Sequence, residues 1–373
     1  MTVTSEIREQ SARGGRATTE TEVLERIQRV RGLRPRFRDE RITMAHGAGG
    51  RASANLVQGL FLPAFGSGVL DRLEDAGVFA VDGSEFALTT DSFVVRPMRF
   101  PGGSIGELAV NGTVNDLAVA GVRPLALTLS LILEEGLPAE VLRGEVEAIA
   151  RAAARAEVEI VAGDTKVVER GAADGLYICT TGFGRRDPRA RLAPNSIRPG
   201  DRVLVSGPIA EHGMAIMLAR GEFELGGTIE SDTQPLWPAV DAILEAAGPG
   251  IRCMRDATRG GVASVLNELA SAAGVSILVH EQQVPVHPAV AAACEILGID
   301  PMYVANEGKF IACVAPEWAE AALAALRTAP GGEGAAEIGA VGAEPPGMVL
   351  VETAFGGRRV MDMLVGDPLP RIC

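Results

Sequence analysis

Three aspartates sit where apolar runs of this chain meet turns or are interrupted. Asp91 closes the run ALTTDS, Asp116 breaks the otherwise apolar GELAVNGTVNDLAVAG, and Asp164 follows EIVAG with Lys166 two residues on. Magnesium takes hard oxygen ligands and is commonly held by one or two carboxylates together with substrate phosphates. A nearby lysine offsets further phosphate charge. Each aspartate taken alone also suits a cap or a turn. Asp116 is harder to read that way, because Asn111 and Asn115 share its helix and a buried carboxylate needs partners.

Other segments carry possible chemistry. His46-Gly47-Ala48-Gly49-Gly50-Arg51 is a glycine-rich loop leading into a helical pattern. Glycines let a backbone approach phosphate oxygens, and the helix N-terminus adds N–H donors. The loop even fits a dinucleotide fingerprint, but no buried strand precedes it and no βαβ unit follows. No GxxxxGKS or GxxxxGKT run occurs, which disfavours a P-loop nucleotidase. Arg255-Asp256-Ala257-Thr258-Arg259-Gly260-Gly261 precedes an apolar helix, where Asp256 or Thr258 can cap it; Arg255, Asp256 and Arg259 equally suit a supporting phosphate or domain-interface role. Glu307 lies in Asn306-Glu307-Gly308 between apolar runs, a position that also suits a plain turn. The sequence closes with Asp367-Pro368-Leu369-Pro370-Arg371-Ile372-Cys373. Its prolines hold it extended and outside helices and central strands. A thiol on such a tether can enter a pocket, receive a group and leave, although a chance cysteine on a frayed end is the plain alternative.

The elements that must position these residues alternate from Arg41 onward. Strand-like runs fall at 78–81, 85–89, 125–133, 158–161 and 176–183, with helical patterns at 104–120 and 139–156. Ser104 with Glu107 reads as a capping box starting the first of these helices. Residues 185–199 read as a linker. Beyond it come a strand at 202–206, helices at 211–220 and 260–273, and strands at 276–280, 303–305, 310–314 and 348–352. The order is mixed, so an α/β protein of α+β layers in two domains is expected. Residues 1–40 are rich in Arg, Glu, Thr and Ser and read as a disordered extension, with room for a short helix at 21–30. The domains then span 41–184 and 185–362, followed by a mobile tail at 363–373.

Composition narrows the class. At 373 residues, 47% apolar and 4% aromatic, the chain is long enough for two packed cores. A formal net charge of −13 argues against nucleic acid as partner. No apolar run reaches the roughly 20 residues of a membrane span and no signal peptide opens the chain, so the cytoplasm is expected. Cys179, Cys253, Cys294 and Cys313 fall in or beside apolar elements, without zinc spacing or a disulfide framework; only Cys373 lies outside a packed element.

Taken in order, HGAGG from His46, TTDS from Thr89, NGTVNDL from Asn111, AGDTKV from Ala162, RDATRGG from Arg255, NEG from Asn306 and PRIC from Pro370 resemble one family. It is the HypE family of hydrogenase maturation proteins, within the aminoimidazole ribonucleotide synthetase superfamily. The internal motifs specify the superfamily and the terminal PRIC the family; the resemblance covers about residues 41–373. It implies ATP use without a P-loop, and a homodimer formed by the N-terminal domains, which also bind the ATP. It implies magnesium on Asp91, Asp116 and Asp164, with His46, Gly47, Gly49, Gly50, Asn115 and Thr165 also contacting nucleotide. It further implies that the carbamoyltransferase HypF loads Cys373 with a carbamoyl group. The thiocarboxamide is then dehydrated to a thiocyanate, with Glu307 as base and Lys166 orienting the amide or offsetting phosphate charge. The cyanide passes to iron on a HypC–HypD complex, for nickel–iron hydrogenase.

The chemistry of that reaction is demanding in ways these residues suit. An amide oxygen is a poor leaving group, and phosphorylation by ATP converts it into a good one. A base must take the nitrogen protons, phosphate charge must be offset, and water must be excluded. Alternatives are a selenophosphate synthetase, a thiamine-phosphate kinase or a non-catalytic maturation scaffold. The first would be expected to carry a reactive cysteine near its glycine-rich loop, whereas none occurs before Cys179.

Overall fold

A computed structural model describes residues 37–221, 229–366 and 371–373. Nearly all of the expected extension, including the helix at 21–30, and the two prolines of the tail lie outside the described residues. The chain enters through the glycine-rich loop and helices α1 (Arg51–Leu56) and α2 (Leu62–Phe65), joined by a π-helical stretch at Val57–Phe61.

The first sheet has five strands in the order β1-β2-β7-β5-β6. These are β1 (Gly77–Val81), β2 (Ser84–Phe93), β5 (Val122–Glu134), β6 (Glu159–Val168) and β7 (Leu176–Arg186). Asp82 and Gly83, with φ of 48° and 79°, make the tight hairpin turn between β1 and β2. Only β5 and β6 pair in parallel, and helix α4 (Ala139–Arg155) is their crossover. A short hairpin, β3 (Arg99–Phe100) with β4 (Gly103–Ser104), leads into α3 (Ile105–Val119). The second sheet has seven strands in the order β14-β13-β10-β12-β8-β11-β9. Its strands are β8 (Arg202–Val205), β9 (Ile251–Asp256), β10 (Ser276–His280), β11 (Phe310–Val314), β12 (Ala336–Gly342), β13 (Met348–Glu352) and β14 (Arg358–Met361). Helices α5 (Glu211–Ala219), α6 (Trp237–Ala247), α7 (Gly261–Ala273), α8 (Pro288–Leu297) and α9 (Pro316–Thr328) accompany it. The architecture is the expected α/β one.

Helix α3 is the keystone. It packs on β2 and β7 of the first sheet and against α6 and β9 of the second half. Its apolar residues, including Ile105, Leu108, Val110, Val114 and Leu117, are buried nearly all round, as expected of a helix covered on several sides.

The structure departs from the sequence reading in several places. Ser104 starts α3 but makes no capping bond. The cap comes instead from a distant chain segment: Glu145 of α4 accepts from the Gly106 N–H at 3.1 Å and from Arg99 at 2.7 Å. Glu107 turns outward to Arg155. Residues 303–305 are not a strand, because Pro301–Tyr303 form a 3₁₀ turn capped by Asp300. The expected linker is partly structured, with β7 running to Arg186 and a turn at Pro194–Ser196 held by Ala193 N–H on the Arg252 carbonyl at 2.9 Å. Strands β9, β12 and β14 and helices α6 and α9 lacked a recognised signal. β12 carries small residues, and α6 and α9 begin with proline at their first turn, where it is tolerated.

Candidate active site

On β2, Thr89 and Asp91 are two residues apart and share one strand face. On α3, Thr113 and Asp116 are three apart and share one helix face. Packing α3 on β2 brings these faces together. Thr89 Oγ1 donates to Asp116 Oδ2 at 2.7 Å, and Thr113 Oγ1 donates to Asp91 Oδ2 at 3.3 Å. Two further acids join from outside this pairing: Asp75, just before β1, and Asp256, the last residue of β9. Loss of water pushes the Asp116 carboxyl well above the usual carboxylate range, and the negative charges of Asp91, Asp256 and Asp75 push it further. Burial likewise raises Asp256 strongly, with Asp75 and Asp91 adding to it. Burial raises Asp91 too, against the opposing pull of Arg259 and the Thr113 hydroxyl. Arg255 is spent on Asp75 at 3.1 Å, on Glu268 at 2.5 Å and on the Leu73 carbonyl. That leaves Arg259, drawn by Asp91 and Asp116, as a further cation beside the cluster. Among the described residues no group of three or more His, Cys, Asp or Glu side chains is drawn together closely enough to cage a metal by itself. Asp75 carries the same sequence signal as Asp91, an acid beside an apolar run, whereas Asp256 carries that of a helix cap or a supporting residue.

Glu307 lies near enough to these acids to feel the charges of Asp256 and Asp91. It is 3% exposed, and its carboxylate faces Gly112 of α3, where an added methyl would meet Phe93 at 2.9 Å and Glu307 Oε2 at 3.8 Å. Burial pushes its pKa well up, helped by Asp232, Asp256 and Asp91 and opposed by Arg259. Its backbone is pinned from opposite directions. Asp232 accepts from the N–H groups of Glu307 and Gly308 at 3.1 and 3.2 Å, and Asn115 Nδ2 donates to the Glu307 carbonyl at 3.0 Å. Asn115 also donates to the Gln234 carbonyl at 2.9 Å and accepts from Leu236 N–H at 2.7 Å. Its amide is thus occupied in fastening α3 to the second half, which departs from the nucleotide contact expected of it.

The glycine-rich loop packs against Arg259 and Leu364. Gly47 has open space around it, whereas Cβ atoms on Gly49 and Gly50 would strike the Arg259 carbonyl at 2.7 Å and the Leu364 carbonyl at 2.4 Å. Those two glycines are required by packing against the second half, not only by a ligand. His46 is committed to the loop's own structure. Its Nδ1 accepts from Thr43 N–H at 3.0 Å, its Nε2 lies 3.0 Å from Asp39, and the Phe37 ring packs edge-on against it.

The tail ends inside this region rather than in solvent. Cys373 takes the Val94 N–H on its carbonyl at 3.1 Å, just past the end of β2. It lines a cavity of about 150 Å³ with Gly47, Ala48, Ser92, Arg259 and Tyr303. Arg259 is attracted first by negative charge at Cys373, then by Asp91, Glu307 and Asp116. The expected mobile tail is therefore docked over its last residues, because Arg371 and Ile372 find specific partners. Cys253, Cys294 and Cys313 are buried, and burial raises their thiol pKa values, Cys253 to about 12 and Cys294 to about 11.

Asp164, Thr165 and Lys166 are elsewhere in the chain's own fold. They lie on edge strand β6, separated from β2 by β5 and β7, with Lys166 bonded to Asp164 at 2.6 Å and both side chains more than 60% exposed. The Asp164 carboxylate also accepts from Thr165 N–H at 2.8 Å. Within one chain, Asp164 therefore does not join Asp91 and Asp116: β6 is placed at the sheet's far edge by its crossover pairing with β5.

Comparison with known proteins bears on the whole chain. Residues 73–186 match the N-terminal domain, and 198–351 the C-terminal domain, of the AIR synthase related protein models. The carbamoyl dehydratase HypE of Rhodobacter capsulatus is 50% identical over 340 residues, covering 90% of this chain and 99% of that protein. HypE in a crystallised HypE–HypF complex superposes with a TM-score of 0.79 at 43% identity, over 83% of this chain and 99% of that one. HypE crystallised in complex with ATP superposes with a TM-score of 0.75 at 43% identity, over 89% of this chain and all of that one. With two domain models matched in order and half of the residues identical over nine-tenths of its length, the chain belongs to the HypE family of carbamoyl dehydratases, on the AIR synthase related fold.

Proposed function

We propose that this protein converts an S-carbamoyl group on Cys373 into a thiocyanate at the expense of ATP, supplying cyanide for hydrogenase maturation. The observation that carries this is the seating of Cys373 beside Arg259 and the glycine-rich loop, on the strand that bears Asp91. The amide oxygen attacks the γ-phosphorus of ATP, ADP leaves, and one N–H proton is lost as the phosphorylated imidate forms. Loss of the second N–H proton with cleavage of the C–O bond releases phosphate and leaves the C≡N group on sulfur. One ATP and one carbamoyl group thus give ADP, phosphate and one thiocyanate, the amide oxygen leaving within the phosphate.

Glu307 suits the proton-handling role, since a carboxyl with a raised pKa lies nearer the operating pH of a general base or acid. Asp91 and Asp116, with Asp256 and Asp75, are the residues suited to hold magnesium, which would offset phosphate charge there. Gly47 leaves space for phosphate oxygens. Arg259 gives the site a cation within its own chain. Lys166 and Asp164 serve a site by coming from a second copy. The open edge of β6 carries exposed Ile160, Val161 and Val167, which supports pairing of the first sheets in a homodimer. Residues 41–184 then form the nucleotide and pairing domain, 185–362 its α+β companion, and 363–373 the substrate arm. HypF is the matching source of the carbamoyl group, and a HypC–HypD complex the recipient of the cyanide. No helix among the described residues is long and apolar enough to cross a membrane, and the cytoplasm is the setting we assign.

The test is the mass of the C-terminal peptide after incubation with HypF, carbamoyl phosphate and ATP. Gain of a carbamoyl group followed by loss of one water supports the reading. A carbamoylated tail that persists with magnesium and ATP present refutes it.

A further inference from the structure

The docked tail is held by a histidine that the dehydration reaction does not use. The carbonyls of Arg371 and Cys373 face the first sheet, accepting from Arg96 N–H at 3.4 Å and Val94 N–H at 3.1 Å. The carbonyl between them, that of Ile372, has His212 Nε2 at 2.8 Å. His212 belongs to α5 and is fully buried, with Phe100 edge-on at 5.5 Å. A carbonyl can only accept, so Nε2 must carry the ring proton and Nδ1 of the neutral ring must accept. Ser231 Oγ, 2.7 Å from Nδ1, supplies that donor, and its own oxygen accepts from Thr233 N–H at 3.2 Å. Ser231 is anchored in turn by its N–H on the Pro101 carbonyl at 2.8 Å. Burial lowers the His212 pKa, which keeps the ring neutral as this chain of bonds requires.

We propose that His212, set in one tautomer by Ser231, is a positioning residue that recognises the Ile372 carbonyl and seats the tail with Cys373 facing the reaction site. The contact reads backbone, while Arg371 supplies the sequence-specific part. The Arg371 guanidinium donates to the Val94 carbonyl at 3.2 and 3.0 Å, pairs with Asp174 and lies over Tyr177. Ile372 itself is 7% exposed within the apolar core. The residue after Ser231 is Asp232, which holds the backbone of Glu307 and Gly308. Tail and proposed base are therefore aligned by neighbouring residues of one short segment. The inference rests on the proposed function only in treating the tail as a substrate arm; the docking it describes is measurable without turnover.

The experiment is the rate at which iodoacetamide alkylates Cys373 in the full-length protein, read by mass spectrometry of the C-terminal peptide, with Cys253, Cys294 and Cys313 as internal reporters of folding. His212→Phe keeps an aromatic ring and removes the donor; Cys373 should react about tenfold faster, the loss of roughly one buried hydrogen bond. His212→Gln, whose amide can still donate to the carbonyl, should recover most of the protection. Ser231→Ala should raise the rate severalfold by freeing the ring to take the wrong tautomer. Cys373 remaining as protected in both His212→Phe and Ser231→Ala overturns the proposal, as does His212→Gln failing to differ from His212→Phe. If His212→Phe exposes the buried cysteines as well, Ser231→Ala, which removes a single oxygen, decides.

Discussion

Replacing Asp116 by Asn deletes one negative charge from a cluster that already contains Asp75, Asp91 and Asp256, with Arg255 engaged by Asp75 and Glu268 and Arg259 shared among Cys373, Asp91 and Glu307. The carbonyl of the new amide can still accept the Thr89 hydroxyl that now lies 2.7 Å from Asp116. The variant therefore loses repulsion without losing that bond. An acid whose folded-state pKa is raised keeps its proton longer in the folded chain. Its ionisation costs stability progressively as pH climbs from the ordinary carboxylate range, about 4, towards the raised value, and in full above it. Each unit of such a rise is worth about 1.4 kcal/mol. Asp116 is partly open to solvent, which screens the repulsion. We accordingly expect Asp116→Asn to gain about 1 kcal/mol at pH 8 without magnesium and nucleotide, or roughly 2–4 °C in Tm. At pH 4 the gain should shrink, because the carboxyl is then increasingly protonated in the unfolded chain as well as in the folded one. Magnesium with ATP should stabilise wild type at pH 8 and leave the variant unmoved, since a neutral amide is a poorer ligand for a hard dication. Thermal unfolding at both pH values, with chelator or with magnesium and ATP, measures all of this. A variant less stable than wild type at pH 8 in chelator refutes the electrostatic argument, and one that binds magnesium–ATP with wild-type affinity refutes the site.

Glu307→Gln should bind ATP normally yet slow conversion of the carbamoylated tail by about a hundredfold or more, the usual scale for loss of a general base; single-turnover peptide mass spectrometry checks it, and wild-type thiocyanate yield would exclude the role. Cys373→Ser should abolish carbamoyl loading while leaving the thermal unfolding profile unchanged, and one residue added after Cys373 should impair turnover because the cavity the tail lines offers only about 150 Å³. Lys166→Ala removes an exposed ion pair, so Tm should stay within about 1 °C while turnover falls; unchanged turnover would remove Lys166 from the reaction. Asn115→Ala breaks bonds to Gln234, Glu307 and Leu236 and should cost about 2–4 kcal/mol in chemical denaturation, a loss that a mere nucleotide contact would not produce.

Much of this protein's chemistry is written locally. Asp91, Asp116 and Glu307 stand out because acids within apolar runs conflict with burial unless they have work to do, and Cys373 stands out because the prolines before it predict an extended tether rather than a helix or central strand. The order of those motifs suffices to identify the family. Element types followed wherever periodicity or glycine turns were strong, as in α3, β2 and the Asp82–Gly83 hairpin. What each polar residue is bonded to was settled only by long-range packing. His46 is absorbed by Thr43 and Asp39, and Asn115 by a segment more than a hundred positions away. Glu145, with no local signal, caps α3 in place of Ser104. Asp256 joins Asp75, Asp91 and Asp116 only because β9 and α3 meet across the two halves, and Asp164 is kept away because β6 pairs at the far edge of its sheet. Residue type and neighbours in sequence state which groups can ionise or coordinate. Which charges share one poorly hydrated space depends on strand order and helix packing, where contacts are set by buried area and hydrogen-bond satisfaction rather than by proximity along the chain.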